Sequence, residues 1–179
     1  MWEGKRAHEL EAALQWLKNS GLVYLLELVQ HAEAPLSANA DATYFKVYMA
    51  DCGLLCRRLG IGYKEFFSDA ESLKTFKGAV TENYVMNELL CAGKRPYFWR
   101  SGNTAELDFL FEEDGFVVPV EVKASENLQA KSLKAFHQKW QNEFSVRTSL
   151  SDFRRDGWLT NIPLYGVHRI AHVVTELPE

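Results

Sequence analysis

Cysteine is scarce, and its placement rules out a disulfide framework. Cys52, Cys56 and Cys91 form an odd set, which points to reduced thiols of the kind found in the cytoplasm. Cys52 and Cys56 stand four apart, but no nearby His or second Cys pair completes a zinc set. They read as small packed thiols. There is no signal-peptide pattern and no long apolar run, so neither secretion nor membrane spanning is implied. A phosphate-binding Gly-x-x-x-x-Gly-Lys-Ser/Thr run is also missing. Gly93-Lys94 lacks both the earlier glycine and the hydroxyl residue, so the sequence holds no ATP site of that kind. Nor is there an excess of basic residues. The net charge of −4 does not mark a nucleic-acid binder, although a local basic patch is compatible with it.

What the sequence has in quantity is apolar surface: 47% of its 179 residues are hydrophobic and 13% aromatic. That supports one sizeable core, with room for a small appendage. Residues 7–19 carry Leu10, Leu14 and Leu17 at helical spacing, with Gly21 closing the helix. A strand over 22–29 follows. This helix and strand suggest the trailing part of a winged-helix-like unit that packs or links. A polar loop over 31–42 leads to a strand over 43–49, where Tyr44, Lys46 and Tyr48 alternate. Asp51 is placed to cap a short helix over 54–59, and 63–73 reads as polar helix. In the helix over 74–91, Val85, Met86, Leu89 and Leu90 form an apolar stripe, and Glu82 lies on that same stripe. Glu88 falls on its flank.

The central stretch is 105–125: two apolar runs joined by an acidic turn ending in Gly115. Strict alternation places Glu106, Asp108 and Leu110 on one face and Leu107, Phe109 and Phe111 on the other. In the second run Glu121 and Lys123 share a face opposite Val120 and Val122. Ionised groups inside apolar strands must be paired, neutralised or metal-bound. Two readings therefore stand. Asp108 and Glu121 are hard oxygen ligands suited to Mg²⁺, with Lys123 beside them to steady water or phosphate; or the charges pair among themselves on a half-exposed sheet face.

Asp108 followed by Glu121-Val-Lys123 is similar to the PD-(D/E)XK, or restriction-endonuclease-like, signature. More narrowly, Phe45 to Leu55 (with Asp51-Cys-Gly53), Gly78 to Leu89 (with Glu82 and Glu88), Tyr97-Phe-Trp99-Arg100, Glu106-Leu-Asp108-Phe, Val120-Glu121-Val-Lys123 and Ser132 to Phe136 occur in one order. Together they resemble the domain of unknown function DUF4143, the C-terminal part of many prokaryotic AAA-type ATPases. The resemblance implies an α/β fold: a restriction-endonuclease-like core with a mixed central sheet flanked by helices over 43–179, and the winged-helix-like appendage over 1–42.

It also implies a nuclease-like domain hydrolysing phosphodiester bonds of nucleic acid with Mg²⁺, for which Mn²⁺ substitutes. Asp108, Glu121 and Glu82 would be the metal ligands and Lys123 the fourth catalytic residue. The alternative it leaves open is an inactive module that binds nucleic acid or docks a protein. Its further implications are an ATPase domain upstream or on a partner chain, a cytoplasmic setting and no membrane. On this reading the sequence is a fragment or stand-alone C-terminal piece.

Three basic residues are candidates for substrate contact. Arg100 meets a phosphate or pairs with Glu82 or Glu106, and Glu82 in turn meets metal or pairs with Arg100 or Lys123. Lys131 and Lys134 lie on the basic face of a helix over 128–140, whose apolar side carries Leu133, Phe136 and Trp140. Beyond it the sequence reads as a strand over 144–150, a polar, partly helical link over 152–159, a short strand over 163–168 and a loose tail. His168 and His172 read as surface residues.

Overall fold

A computed structural model describes residues 7–68, 71–102, 105–125 and 130–175. The expected turn residues Asn103 and Thr104, the first residues of the helix expected over 128–140 and the end of the expected tail lie outside the described residues. The elements run α1 (Ala7–Asn19), β1 (Val23–Val29), β2 (Ala40–Met49), α2 (Cys52–Leu59), α3 (Tyr63–Phe66) and α4 (Lys74–Cys91). They continue with β3 (Tyr97–Ser101), β4 (Ala105–Glu113), β5 (Phe116–Val122), α5 (Lys131–Trp140), β6 (Ser145–Ser149), β7 (Arg154–Asp156), β8 (Leu159–Pro163) and α6 (Ile170–Thr175). The eight strands form one mixed sheet in the order β2-β1-β3-β4-β5-β6-β8-β7. Pairs β1–β3, β5–β6 and β6–β8 are parallel and the rest antiparallel. The sheet runs through the boundary expected at 42/43, because β1 lies between β2 and β3.

Apolar side chains on the two faces build two cores. On one, Val85, Met86 and Leu89 of α4 and Ile170 and Val174 of α6 pack on Phe98, Phe109, Phe111, Val118, Val120, Val146 and Ile162. On the other, Leu133 and Phe136 of α5 pack on Trp99, Leu107 and Leu110, with Trp99 and Phe136 edge-to-face at 5.1 Å between ring centres. The stripes read from α4 and α5 are therefore the faces that are buried.

The hairpin β4–β5 turns at Asp114 and Gly115, both with positive φ (47° and 85°), between the closing pair Glu113 and Phe116. That is the two-residue turn an Asp-Gly pair favours. Alternation along β4 fails, however. Trp99 pairs with Leu107 and Tyr97 with Leu110, so Asp108 and Phe109 together oppose Phe98. This bulge puts Leu107 and Leu110, three apart, in the α5 core, and Phe109 and Phe111 in the α4 core. Leu110 thus does not share a face with Asp108, and Leu107 does not share one with Phe109.

The C-terminal quarter also differs from expectation. The stretch over 152–159 contains β7, hairpinned onto β8 through Gly157 (φ 57°), and is not helical. The strand comes earlier, at Leu159–Pro163, and 164–169 is a 3-10 turn leading into α6. At the other end Asp51 caps α2 as expected, its carboxylate accepting the Leu54 N–H at 2.9 Å.

Asn83 fixes α4 against β2. It is 2% exposed, its Oδ1 accepts the Met49 N–H at 2.8 Å, and its Nδ2 donates to the Met49 carbonyl at 3.0 Å. The side chain supplies both bonds a neighbouring strand would have made. Asn83→Ala strips the Met49 N–H of its partner, while the Met49 carbonyl keeps the Asn87 Nδ2–H at 3.1 Å. The expected loss is about 1–3 kcal/mol, read as a lower denaturant midpoint with unchanged slope; a loss below ~0.5 kcal/mol would show that Asn83 does not hold α4 in place.

Candidate functional site at a fork in the sheet

β4 and β5 stay paired from the turn as far as Phe109 and Val120. They then part. The Lys123 N–H donates to the Thr148 carbonyl of β6 at 2.8 Å. The Val122 N–H donates instead to Asp108 Oδ2 at 2.7 Å. The bulge at Asp108 and Phe109 makes this geometry available, and a side-chain carboxylate takes a place in the ladder. Asp108 and Glu121 are the next residues beyond the last ladder pair, one on each arm of the fork.

Glu82 and Glu106 approach from the α4 side. Lys46 Nζ lies 3.2 Å from Glu82 Oε1 and 2.7 Å from Glu106 Oε1. The Tyr48 hydroxyl donates to the same Glu82 oxygen. Arg100 donates from Nε and Nη2 to Glu106 Oε2 at 3.0 and 2.6 Å. Of the partners weighed for Arg100, Glu106 is the one present. Glu82 pairs with Lys46, not with Arg100 or Lys123. A groove of about 290 Å³ lined by Lys46, Tyr48, Leu55, Ala79, Glu82 and Asn83 opens onto this cluster.

Glu121 and Lys123 belong to the other side. Val120 and Val122 pack with the α4 core, so alternation turns Glu121 the opposite way. Glu121 is 5% exposed. Its Oε1 meets Lys123 Nζ at 2.6 Å, while its buried Oε2 has no hydrogen-bond partner among the described residues. Its register neighbour on β6 is Arg147, itself buried and donating through Nε to Asn161 Oδ1 at 2.9 Å. Lys131 and Lys134 are exposed on α5.

Asp108 feels both groups. Burial first, then the charge of Glu82, and more weakly that of Glu121, push its pKa up to about 7, against the opposing Val122 N–H and Lys46. Burial also works against ionisation of Glu106, but the bonds from Lys46 and Arg100 outweigh it and hold that carboxyl below its usual range. Lys46 is likewise held above its ordinary value, the pull of Glu82 and Glu106 overcoming its burial. The structure thus gathers Glu82, Asp108 and Lys46 on one side of the fork and Glu121 and Lys123 on the other, with Asp108 sensing both.

Among the described residues no group of three or more His, Cys, Asp or Glu side chains is placed to hold a metal ion. Mg²⁺ does not require one: it is commonly held by one or two carboxylates, with water and substrate phosphate completing the shell. Across the fork Glu121 carries a buried oxygen with no hydrogen-bond partner among the described residues, and Asp108 a carboxylate crowded by like charge, from opposite faces of the sheet.

Sequence reasoning missed Lys46 and Tyr48 as members of this cluster. The signal was a lysine within the apolar run Tyr44-Phe-Lys-Val-Tyr48, which demands a counter-charge.

Comparison with known families agrees with the resemblance in its coarser part. Residues 77–165 match the family described as Domain of unknown function (DUF4143). Residues 3–65 match a second, Domain of unknown function (DUF8612). The first match takes in Glu82, Asp108, Glu121 and Lys123; Lys46 and Tyr48 fall in the second. No curated protein and no solved structure matches the chain. No helix among the described residues is long and apolar enough to cross a membrane.

The site makes a pH prediction. Asp108 holds its proton more tightly when folded than the ordinary value of 3.8 allows, so its ionisation costs stability as pH rises from about 4 through about 7. In chelator, Asp108→Asn removes that loss. At about 1.36 kcal/mol per pH unit of displacement, the variant gains about 2–4 kcal/mol over the parent at pH 8, and the gain shrinks towards zero near pH 4. Denaturation midpoints across pH check this; a difference that does not vary with pH contradicts it.

Proposed function

We propose that this chain is a restriction-endonuclease-like domain that hydrolyses phosphodiester bonds of nucleic acid with Mg²⁺, working with an ATPase domain in the cytoplasm. The observation that carries the reading is the fork: Asp108 and Glu121 project from its two arms, one crowded by like charge and the other with a buried oxygen left over. A divalent cation relieves both. When bound, such a cation lowers the pKa of its water to give a nucleophile near neutral pH and offsets charge developing on phosphate.

The protein's own groups divide the remaining work. Asp108, oriented by the Val122 N–H, and Glu121, anchored by Lys123, would hold the cation, one from each arm of the fork. Glu82 is a more distant or water-mediated ligand, since Lys46 and Tyr48 already engage it. Lys123, held at 2.6 Å from Glu121, orients water or the scissile phosphate. Lys131 and Lys134 on exposed α5 meet the backbone of the strand, giving salt-sensitive affinity. Arg100 contributes to substrate contact through the order it imposes on Glu106. The finer fold reading, a nuclease core with a winged-helix-like start, is part of the same proposal.

One observation favours the inactive module as the second reading: two protein donors, Lys46 and Tyr48, already engage Oε1 of Glu82. Calorimetric titration with Mg²⁺ and Mn²⁺, joined to cleavage of labelled DNA and RNA, separates the two. The nuclease reading expects binding that is lost in Asp108→Asn and Glu121→Gln. It expects Lys123→Met to keep metal binding and lose roughly a hundredfold or more in cleavage. Neither heat nor cleavage with either metal leaves the docking module.

A further inference from the structure

The cation-dependent reading gives Lys46 no task, yet Lys46 is the most tightly held charge near the fork. It rises from β2, an edge strand of the sheet. Its ammonium reaches across to meet carboxylates from two other elements, Glu82 on α4 at 3.2 Å and Glu106 on β4 at 2.7 Å. It lies 5.3 Å from the centre of the Phe98 ring, an arrangement that favours a cation. Phe98 is the residue opposite the bulge that carries Asp108. The groups facing it are therefore Glu82, Glu106 and, more distantly, Asp108, with the Tyr48 hydroxyl on Glu82 and the Arg100 guanidinium on Glu106.

A cation bridging oxygens from separate elements stands where a divalent ion would stand. An ammonium does so at 2.7–3.2 Å, whereas Mg²⁺ draws oxygens to about 2.1 Å. The two cannot share the position. We propose that Lys46 is the resident cation of the Glu82–Glu106–Asp108 cluster, a side-chain ammonium that occupies the place of a divalent ion and competes with it. The charge count agrees. Two cations, Lys46 and Arg100, face three carboxylates, so neutrality requires a proton or one further cation. The proposal shares Asp108 with the reading above but does not need that reading to hold. It states that the position between Glu82 and Glu106 is closed to divalent metal because the sequence has supplied its own positive charge there.

The test is Lys46→Met in the full chain, with Mg²⁺ affinity measured by calorimetry and by the rise in Tm on adding Mg²⁺ to chelated protein. The expected result is binding roughly tenfold or more tighter than in the parent, abolished again in K46M/E82Q. Affinity equal to or below the parent's overturns the proposal. If K46M does not fold without metal, K46M/E106Q, with one carboxylate fewer, is read by the same two measurements and the same criterion. The outcomes also separate this inference from the nuclease reading. A parent silent to Mg²⁺ beside a K46M that binds it supports the resident cation and removes the metal-dependent enzyme. A parent whose binding depends on Glu121, beside a K46M that binds no better, does the reverse.

Discussion

The hydrogen bond from the Val122 N–H to the Asp108 carboxylate governs this site. A buried backbone donor must find an acceptor, and at this point β4 no longer supplies one in the regular ladder. Asp108 does, at 2.7 Å. The bulge opposite Phe98 lets the side chain reach. The same bond fixes an acidic group at the parting of two central strands, far from easy solvation. Every electrostatic property of the site follows from that placement.

The neighbouring charges are arranged as compensation that stops short of complete. Stripping water from a carboxylate costs several kcal/mol in practice, and pairing recovers the cost only with good geometry. Glu106 has that geometry, between Lys46 and Arg100. Glu82 has it on one oxygen, which takes both Lys46 and Tyr48. Glu121 has half of it, with Lys123 on one oxygen, no hydrogen bond to the other among the described residues, and the charge of Arg147 alongside. Asp108 has a single neutral donor, and burial with like charge pushes it up to about 7. The deficit is thus concentrated on the two residues that flank the fork. A divalent ion, a proton, or a structural compromise are the three ways to settle it, and they have different consequences for function.

Much of the frame was legible in the sequence. Val85, Met86 and Leu89 announced the buried face of α4, Leu133 and Phe136 that of α5, and Asp114-Gly115 the hairpin turn. Each is a local pattern in which one period or one backbone preference decides the outcome. The bulge was not legible. Alternation is a rule about regular ladders, and nothing in Glu-Leu-Asp-Phe-Leu signals that two residues will oppose one. The β7–β8 hairpin was also missed, because Arg154-Arg155-Asp156 has the polarity of a link. At the outer edge of a sheet those same charges discourage unwanted pairing. Lys46 was visible as an oddity in an apolar run. Its partners lie 36 and 60 residues away on α4 and β4, and single-sequence spacing carries no information at that range.

Asp108 sits crowded at the fork and bonded to the Val122 amide. The Val122 amide resonance of metal-free protein, followed from pH 4 to pH 9, puts this placement to the test, because the donor reports the charge of its own acceptor. One large amide shift is expected, with a midpoint at about 7. A midpoint in the ordinary aspartate range near 3.9, or an amide that does not respond, would contradict it.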